Sequence, residues 1–382
     1  MAGGLVAIKI GLITTLGTNI GDDFIRLGIQ RIIRSLWPDQ HLRWVCINKH
    51  QPQTIWPYWH PVRHIPEWAP NYHKVALKLP AHRFVGSDLI VQCGAPVLWK
   101  NCHQCEWNIP LWDEVIGTIH REVPVLNLAA GSAFDMTTQP TRIDIPDDRD
   151  FLTKILDFCR LTTARDPLAR ILCGELGSET PLIPCTAGLA FEPVEVKKSF
   201  GEKILYVNYM PKAGHYDFSG NLKEEDWEAT VRNVLSRAAE KFQVVLLCHS
   251  RSEQELAARV FPDYPHVLPK TTDAYAGLVR KGTLGFFNRL HAAVAFAGVG
   301  VPSVAVGNDT RILMVREYGI PAFDVRETDA DAIWSALTDL DSRQNEERQR
   351  LLKLRSRIFD LYREVLVDSL TKCENGALPE IK

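Results

Sequence analysis

Two polar side chains stand at the entrance of an otherwise apolar stretch. In FFNRLHAAVAFAGVG, residues 286–300, Arg289 and His291 precede a run of small apolar residues. TLGFF (283–287) before them reads as a strand, Asn288 is a favourable helix cap, and 292–297 favours a helix stopping at Gly298. Arg289 and His291 then fall in a first helical turn directly past a strand end. Free backbone N–H groups and the helix dipole gather there and favour an anion. A guanidinium adds a forked donor suited to phosphate or carboxylate, and an imidazole can give or take a proton near neutral pH. In a helix interior, residues two apart diverge, whereas at a strand-to-helix junction they can converge on one pocket. The competing reading is structural: an arginine paired with a carboxylate and a histidine satisfying a backbone carbonyl.

Other candidates lie at similar junctions. In LTTARDPLARILCGELG (161–177) a strand ends at Arg165-Asp166 and Pro167 opens a helix at a favoured first position. Arg165 there could hold a second anionic group, or pair with Asp166 at the surface. GTNIGDDFI (17–25) is a polar turn before a helix, and Asn19, Gly21 and Asp22 could approach a ligand. It lacks the three-glycine spacing of a dinucleotide fingerprint. His249 and Ser250 follow the strand FQVVLLC (242–248), and His215 and Tyr216 lie in a loop. Cys102-His103-Gln104-Cys105 is a lone C-x-x-C without a second ligand pair at zinc spacing or a thioredoxin-like setting, and it reads as two loop cysteines.

These residues need a frame that brings strand ends together. An apolar run over 7–14, a turn, and a helix over 24–37 stopping at Pro38 form strand–turn–helix. Strand-like runs recur at 88–93, 123–129 and 161–164, with helices near 112–120 and 151–159. A second alternation follows: strands at 203–209, 242–248, 283–287 and 302–307, helices at 223–240, 252–261, 289–297 and 311–318. This pattern predicts parallel sheets covered on both faces. The boundary falls in the polar stretch 192–201. Residues 1–195 form one Rossmann-like domain, 196–328 a second, and 329–382 a charge-rich helical tail. Two such domains face each other and bind ligands at their strand carboxyl ends. Residues 51–81, dense in Trp, Tyr, His and Pro, read as an irregular insertion. Trp56, Tyr58, Trp59, His60 and Trp68 there either stack on a sugar ring or pack into the core.

Composition narrows the function classes. The 382 residues carry 44 basic and 46 acidic side chains, a net charge of −2. That balance argues against wholesale nucleic-acid binding while allowing a local basic pocket. No apolar run is long enough to span a bilayer, and the N-terminus reads as a buried strand rather than a signal peptide. The nine cysteines are an odd number without framework spacing, which fits reduced thiols and a cytoplasmic location.

Taken in order, the motifs resemble the polysaccharide pyruvyl transferase family. GTNIGDDFI resembles its Asn-x-Gly-Asp turn, TARDPLARILCGELG its Arg-Asp segment, and RLHAAVAFAGVGVPSVAVGNDTRILMVREYGIP its Arg-Leu-His block. The chain departs from the family pattern at CGAPVL (93–98), at Ala169, and at Asp309 and Arg311, where a lysine is common. The resemblance implies an α/β protein of two Rossmann-like domains in a GT-B-like arrangement. It implies transfer of a pyruvyl group from phosphoenolpyruvate to two hydroxyls of a sugar or glycan, forming a ketal, without metal or cofactor. It assigns Arg289, Leu290, His291 and Arg165 to the donor site. The rival expectations are a GT-B glycosyltransferase using a nucleotide sugar and a non-catalytic carbohydrate-binding relative.

Overall fold

In a computed structural model, residues 7–16, 19–48, 86–105, 115–116, 123–193, 203–214, 216, 218, 220–371 and 378–381 are described. The aromatic insertion 51–81, His215, most of the expected helix at 112–120 and most of the 192–201 boundary lie outside them.

Two all-parallel sheets dominate. The first holds β1 (Ile8–Thr14), β2 (Leu42–Asn48), β3 (Leu89–Cys93), β4 (Pro96–Leu98), β5 (Val125–Ser132) and β6 (Leu161–Ala164), in the order β2-β1-β3-β5, with β4 and β6 both pairing with β5. The second holds β7 (Ile204–Asn208), β8 (Gln243–Leu247), β9 (His266–Val267), β10 (Leu284–Phe287), β11 (Ser303–Gly307) and β12 (Ala322–Asp324), in the order β12-β11-β10-β7-β8-β9. Their strands are nearly continuous apolar runs, as expected for sheets buried on both faces. Four described strands escape the sequence reading: β2, β4, β9 and β12. Three of them are two or three residues long, and β2 is a half-polar edge strand paired with β1 alone.

Strand order reverses between β1 and β3 in the first sheet and between β7 and β10 in the second. Such switch points open crevices at the carboxyl ends of strands. Each is followed by a helix: α1 (Ile20–Leu36) behind β1, and behind β10 the helix Leu290–Gly298. Further helices are Pro146–Phe158, Pro167–Glu175, Glu224–Ala238, Arg251–Val260, Thr272–Val279 and Ile312–Arg316. No described helix is long and apolar enough to cross a membrane.

The halves meet through a 3-10 turn, Thr186–Leu189, wedged between α1 and the helix 290–298. Two glycines make the approach possible. A Cβ on Gly28 would lie 1.9 Å from the Thr186 carbonyl oxygen, and one on Gly298 would lie 2.0 Å from that of Gly188. Gly298 is therefore inside its helix for proximity; the left-handed residue after the helix is Gly300, at φ 79°. An alanine at 298 gains about 1 kcal/mol in helix propensity. Forced overpacking against backbone costs about 1–3 kcal/mol or more. Gly298→Ala should therefore lower the denaturation midpoint, and an unchanged or higher midpoint would show that the wedge is slack.

The tail forms two helices, Ala330–Ser342 and Gln344–Thr371. The second buries Leu351, Ile358, Tyr362, Leu366 and Leu370 while its Arg, Lys and Glu residues mostly line the outer faces. It runs back onto the first half, where the Arg160 Nε donates to the Ser369 carbonyl (2.6 Å) and the Tyr362 hydroxyl to that of Ile183 (3.4 Å). A polar latch joins the halves near the strand ends. Ser132 Oγ lies 2.9 Å from both Thr310 Oγ1 and Asp166 Oδ1, and Phe134 N donates to Thr310 Oγ1 at 2.9 Å.

Candidate active site

The N-termini of α1 and of the helix 290–298 meet where the two switch points face each other. Asn19 caps α1, its Oδ1 accepting from Gly21 N at 3.1 Å. Gly21 has no side chain because His291 occupies the space: a Cβ there would sit 3.1 Å from both Cβ and Nδ1 of His291. The cavity between them is narrow, about 30 Å³, and opens to solvent at its mouth. Asn19 and Gly21 line it from the first half. His249, Arg289, Leu290, His291 and Arg311 line it from the second, with Met210 and Met314 as apolar walls.

Each second-half group sits just past a strand end. Asn208, the last residue of β7, accepts from the Arg289 backbone N–H at 3.0 Å and donates to Glu253 at 3.0 Å. Glu253 is the organiser. One carboxylate oxygen accepts from Nε and Nη2 of Arg289, and the other from His249 N at 2.9 Å. Burial would raise this carboxyl, but Arg289 and the hydrogen bonds hold it below its ordinary value. Arg311 is held by Asp309 through Nε (2.9 Å) and Nη2 (2.6 Å) and lies 4.6 Å over the Tyr216 ring. The structural pairing weighed for Arg289 is thus present, and the arginine still lines the cavity.

Arg165, expected to hold an anionic group directly, is not among the residues that line the cavity. It is 1% exposed, and neither it nor Asp166 forms the surface pair entertained from sequence. Asp166 instead caps the helix Pro167–Glu175 and accepts from Ser132. The Arg165 Nη1 lies 3.3 Å from His291 Nε2, and its Nε and Nη2 are buried without hydrogen-bond partners. A Cβ on Gly131 would fall 2.3 Å from its Nε, so that glycine makes room for it. A guanidinium has no lone pair to offer, so Nε2 of His291 accepts and the ring proton sits on Nδ1. Burial, then Arg165, Arg311, His249 and Arg289, push the His291 imidazole well below its ordinary value. His291 is neutral at physiological pH.

His249 is also neutral. Burial drops it to about 4, Arg289 adding to the shift and Glu253 opposing it. The sign of the linkage follows: between about pH 4 and 6.5 the unfolded chain holds a proton on His249 that the folded chain excludes. Stability from this group is complete above pH 6.5 and is lost as pH falls towards 4, about 3 kcal/mol in all at 1.36 kcal/mol per unit. Urea midpoints taken from pH 7 to 4 should fall more steeply in the wild type than in His249→Gln. Parallel slopes would sink this assignment.

Three sequence expectations change. Asn288 does not cap its helix; that position is Arg289, which makes no side-chain cap. Asn288 instead ties the strand ends together, accepting from Met210 N (2.9 Å) and donating to the Val306 carbonyl (3.0 Å). Ser250 caps the helix Arg251–Val260 by accepting from Glu253 N and is not among the lining residues. Asp22 sits in the first turn of α1 outside the lining, with its charge felt by Arg311. Arg311 lines the cavity, and Asn208 and Glu253 brace Arg289 from behind it; the sequence reading placed none of the three there. Arg311 alone left a signal, standing where the family commonly has lysine. The C-x-x-C does not line the cavity: Cys102 donates its thiol proton to Asp148, which also accepts from His103, and burial followed by Asp148 raises that thiol. Among the described residues no cluster of His, Cys, Asp and Glu is arranged to hold a metal.

Comparisons with known proteins agree with this frame. The fold is similar to UDP-GlcNAc 2-epimerase from Neisseria meningitidis bound to UDP-GlcNAc (TM-score 0.55, 9% identity, 96% of this chain and 100% of that one). It is also similar to a putative UDP-N-acetylglucosamine 2-epimerase from Listeria monocytogenes (TM-score 0.58, 11% identity, 98% and 99%). These are GT-B-type folds, and at such identities the likeness speaks for the fold alone. Comparison with curated proteins gives no match. The family model for polysaccharide pyruvyl transferase matches residues 19–310, a span running from the Asn19 cap through the Arg-Leu-His block to the Thr310 latch. The chain belongs to the polysaccharide pyruvyl transferase family.

Proposed function

We propose that this protein transfers the pyruvyl group of phosphoenolpyruvate to two hydroxyls of a sugar or glycan precursor, forming a ketal and releasing phosphate. The observation that carries the reading is Arg165: a buried guanidinium with two unpartnered nitrogens, one layer behind His291 at the junction of two helix N-termini. An uncompensated buried charge costs several kcal/mol, and a bound anion offsets it. Phosphoenolpyruvate brings a phosphate and a carboxylate to a cavity that offers Arg289, Arg311, His249 and His291.

The bonds balance as follows. One acceptor hydroxyl adds to C2 of phosphoenolpyruvate and gives up its proton, while C3 gains a proton and becomes a methyl group. A second hydroxyl then attacks C2 as the bond to phosphate breaks, and its proton leaves with the phosphate. His291 serves one of the proton transfers. Arg289 and Arg311, each already oriented by a carboxylate, stabilise charge on the departing phosphate. The cationic and hydrogen-bonding groups around the cavity, rather than the fold, support this donor. The acceptor lies towards the first half, in line with the proposed division at residue 195.

Phosphate release over a panel of hydroxylated acceptors tests the reaction. Release is expected only with phosphoenolpyruvate and an acceptor together. Melting curves test the donor separately, because a ligand stabilises the state that binds it. A shift with nucleotide sugars and none with phosphoenolpyruvate would establish a GT-B glycosyltransferase instead. Glycan binding with no phosphoenolpyruvate consumed would establish a binding protein.

A further inference from the structure

His249 keeps a ring nitrogen that the site does not use. The residue is 8% exposed and lines the cavity. Its Nε2 lies 3.0 Å from the Tyr275 hydroxyl, and its Nδ1 is buried without a hydrogen-bond partner. A neutral imidazole donates from one nitrogen and accepts at the other, so two arrangements compete. In one, Nε2–H donates to the phenol oxygen. The phenol's own hydrogen is then stranded, because Tyr275 is wholly buried and His249 is its one hydrogen-bond partner among the described residues. In the other, the phenol donates to Nε2 and the ring proton moves to Nδ1. Only the second uses the phenol hydrogen and leaves the remaining donor at Nδ1, on a side chain that lines the cavity. A stranded buried donor is costly, and a bound acceptor in the cavity removes that cost for Nδ1–H. Nothing in the cavity can do the same for the phenol hydrogen.

We propose that Tyr275 locks His249 as the Nδ1–H tautomer, and that His249 thereby donates a neutral hydrogen bond to an anionic group of the ligand. Tyr275 is a positioning residue in this scheme, and His249 touches the ligand. A neutral donor suits the place: a protonated ring would repel Arg289, whose guanidinium shares Glu253 with the His249 backbone. Tyr275 is itself fixed from the first half. Its ring centroid lies 4.7 Å from that of Phe24 and 6.1 Å from that of Phe191. The tautomer of a second-half histidine thus depends on a contact between the halves. The ligand half of this inference rests on the proposed donor site; the tautomer half does not.

The test uses full-length protein with 15N-labelled histidine. His249 resonances are assigned by their loss in His249→Gln. In the free wild type, Nδ1 of His249 should carry the proton. In Tyr275→Phe, whose ring fills the same apolar slot, both tautomers should be populated. The dissociation constants for phosphoenolpyruvate and inorganic phosphate should rise roughly tenfold, with turnover at saturation changed far less. A wild-type spectrum showing Nε2–H overturns the lock whatever the variant does. Unchanged tautomer and affinity in a folded Tyr275→Phe also overturn it. If wild type binds no phosphoenolpyruvate, the ligand half falls together with the proposed function, while the free-protein spectrum still decides the tautomer.

Discussion

Replacing Arg165 with methionine should make the free protein more stable and leave it unresponsive to phosphoenolpyruvate. The guanidinium is buried, has no carboxylate partner among the described residues, and leaves Nε and Nη2 unbonded. A buried ion without compensation is penalised by several kcal/mol, and hydrophobic replacement of buried charge is often stabilising by about 1–4 kcal/mol. Methionine is unbranched and adaptable enough to occupy the slot beside Gly131. The interactions lost are the 3.3 Å contact with His291 Nε2 and the attraction of the guanidinium to Asp166 and to the Cys185 thiol. The melting temperature of the free variant should therefore rise. The shift that phosphoenolpyruvate produces in the wild type should disappear, because the uncompensated charge that awaits the anion is gone. A variant that melts lower and still responds to phosphoenolpyruvate would show that Arg165 is a structural residue. Arg165→Lys separates charge from geometry. It keeps the cation, shortens its reach and loses the fork, so partial binding without full turnover is expected.

The sequence exposes the frame more readily than the contacts inside it. Long apolar strands such as β5 and amphipathic helices such as α1 are written in local periodicity, and so is the repeat of two parallel α/β units. Arg165, Arg289 and His291 are legible as candidates because strand ends are where a parallel sheet presents chemistry. Asn288 is misjudged for the opposite reason. Its residue type favours a local cap, but its amide satisfies backbone groups at 210 and 306, neighbours only in the folded sheet. Gly298 looks like a helix stop and is a point of close approach to Gly188. Glu253 and Tyr275 carry no local signal: one sits in an ordinary polar helix and the other in an ordinary apolar one. Their roles come from partners at 289 and 249, which only the switch point of the second sheet brings within reach.

His291→Asn should bind phosphoenolpyruvate within a few-fold of wild type yet turn over about 10²–10⁴ times more slowly, the usual worth of a positioned proton-transfer group. His291→Ala should lose both binding and turnover. The asparagine amide can place an N–H near the position of Nδ1, so a role limited to hydrogen bonding survives it, whereas proton transfer does not. The surroundings limit what the ring can do. Nε2 is covered by Arg165, Nδ1 carries the hydrogen, and burial with Arg165, Arg311, His249 and Arg289 depresses the ring's affinity for a second proton. A neutral imidazole gives up its N–H only as an imidazolate, so of the two transfers the ring is suited to taking the hydroxyl proton, as a base of reduced strength. The pH profile gives an independent check. The active ring is neutral, so kcat/KM should stay level as pH falls through 6.5 and drop only at the depressed value. A midpoint at or above 6.5 that disappears in His291→Asn would mean an unperturbed histidine and would overturn this assignment. Full turnover in either variant would remove His291 from the chemistry and leave Arg289 and Arg165 as a site for binding alone.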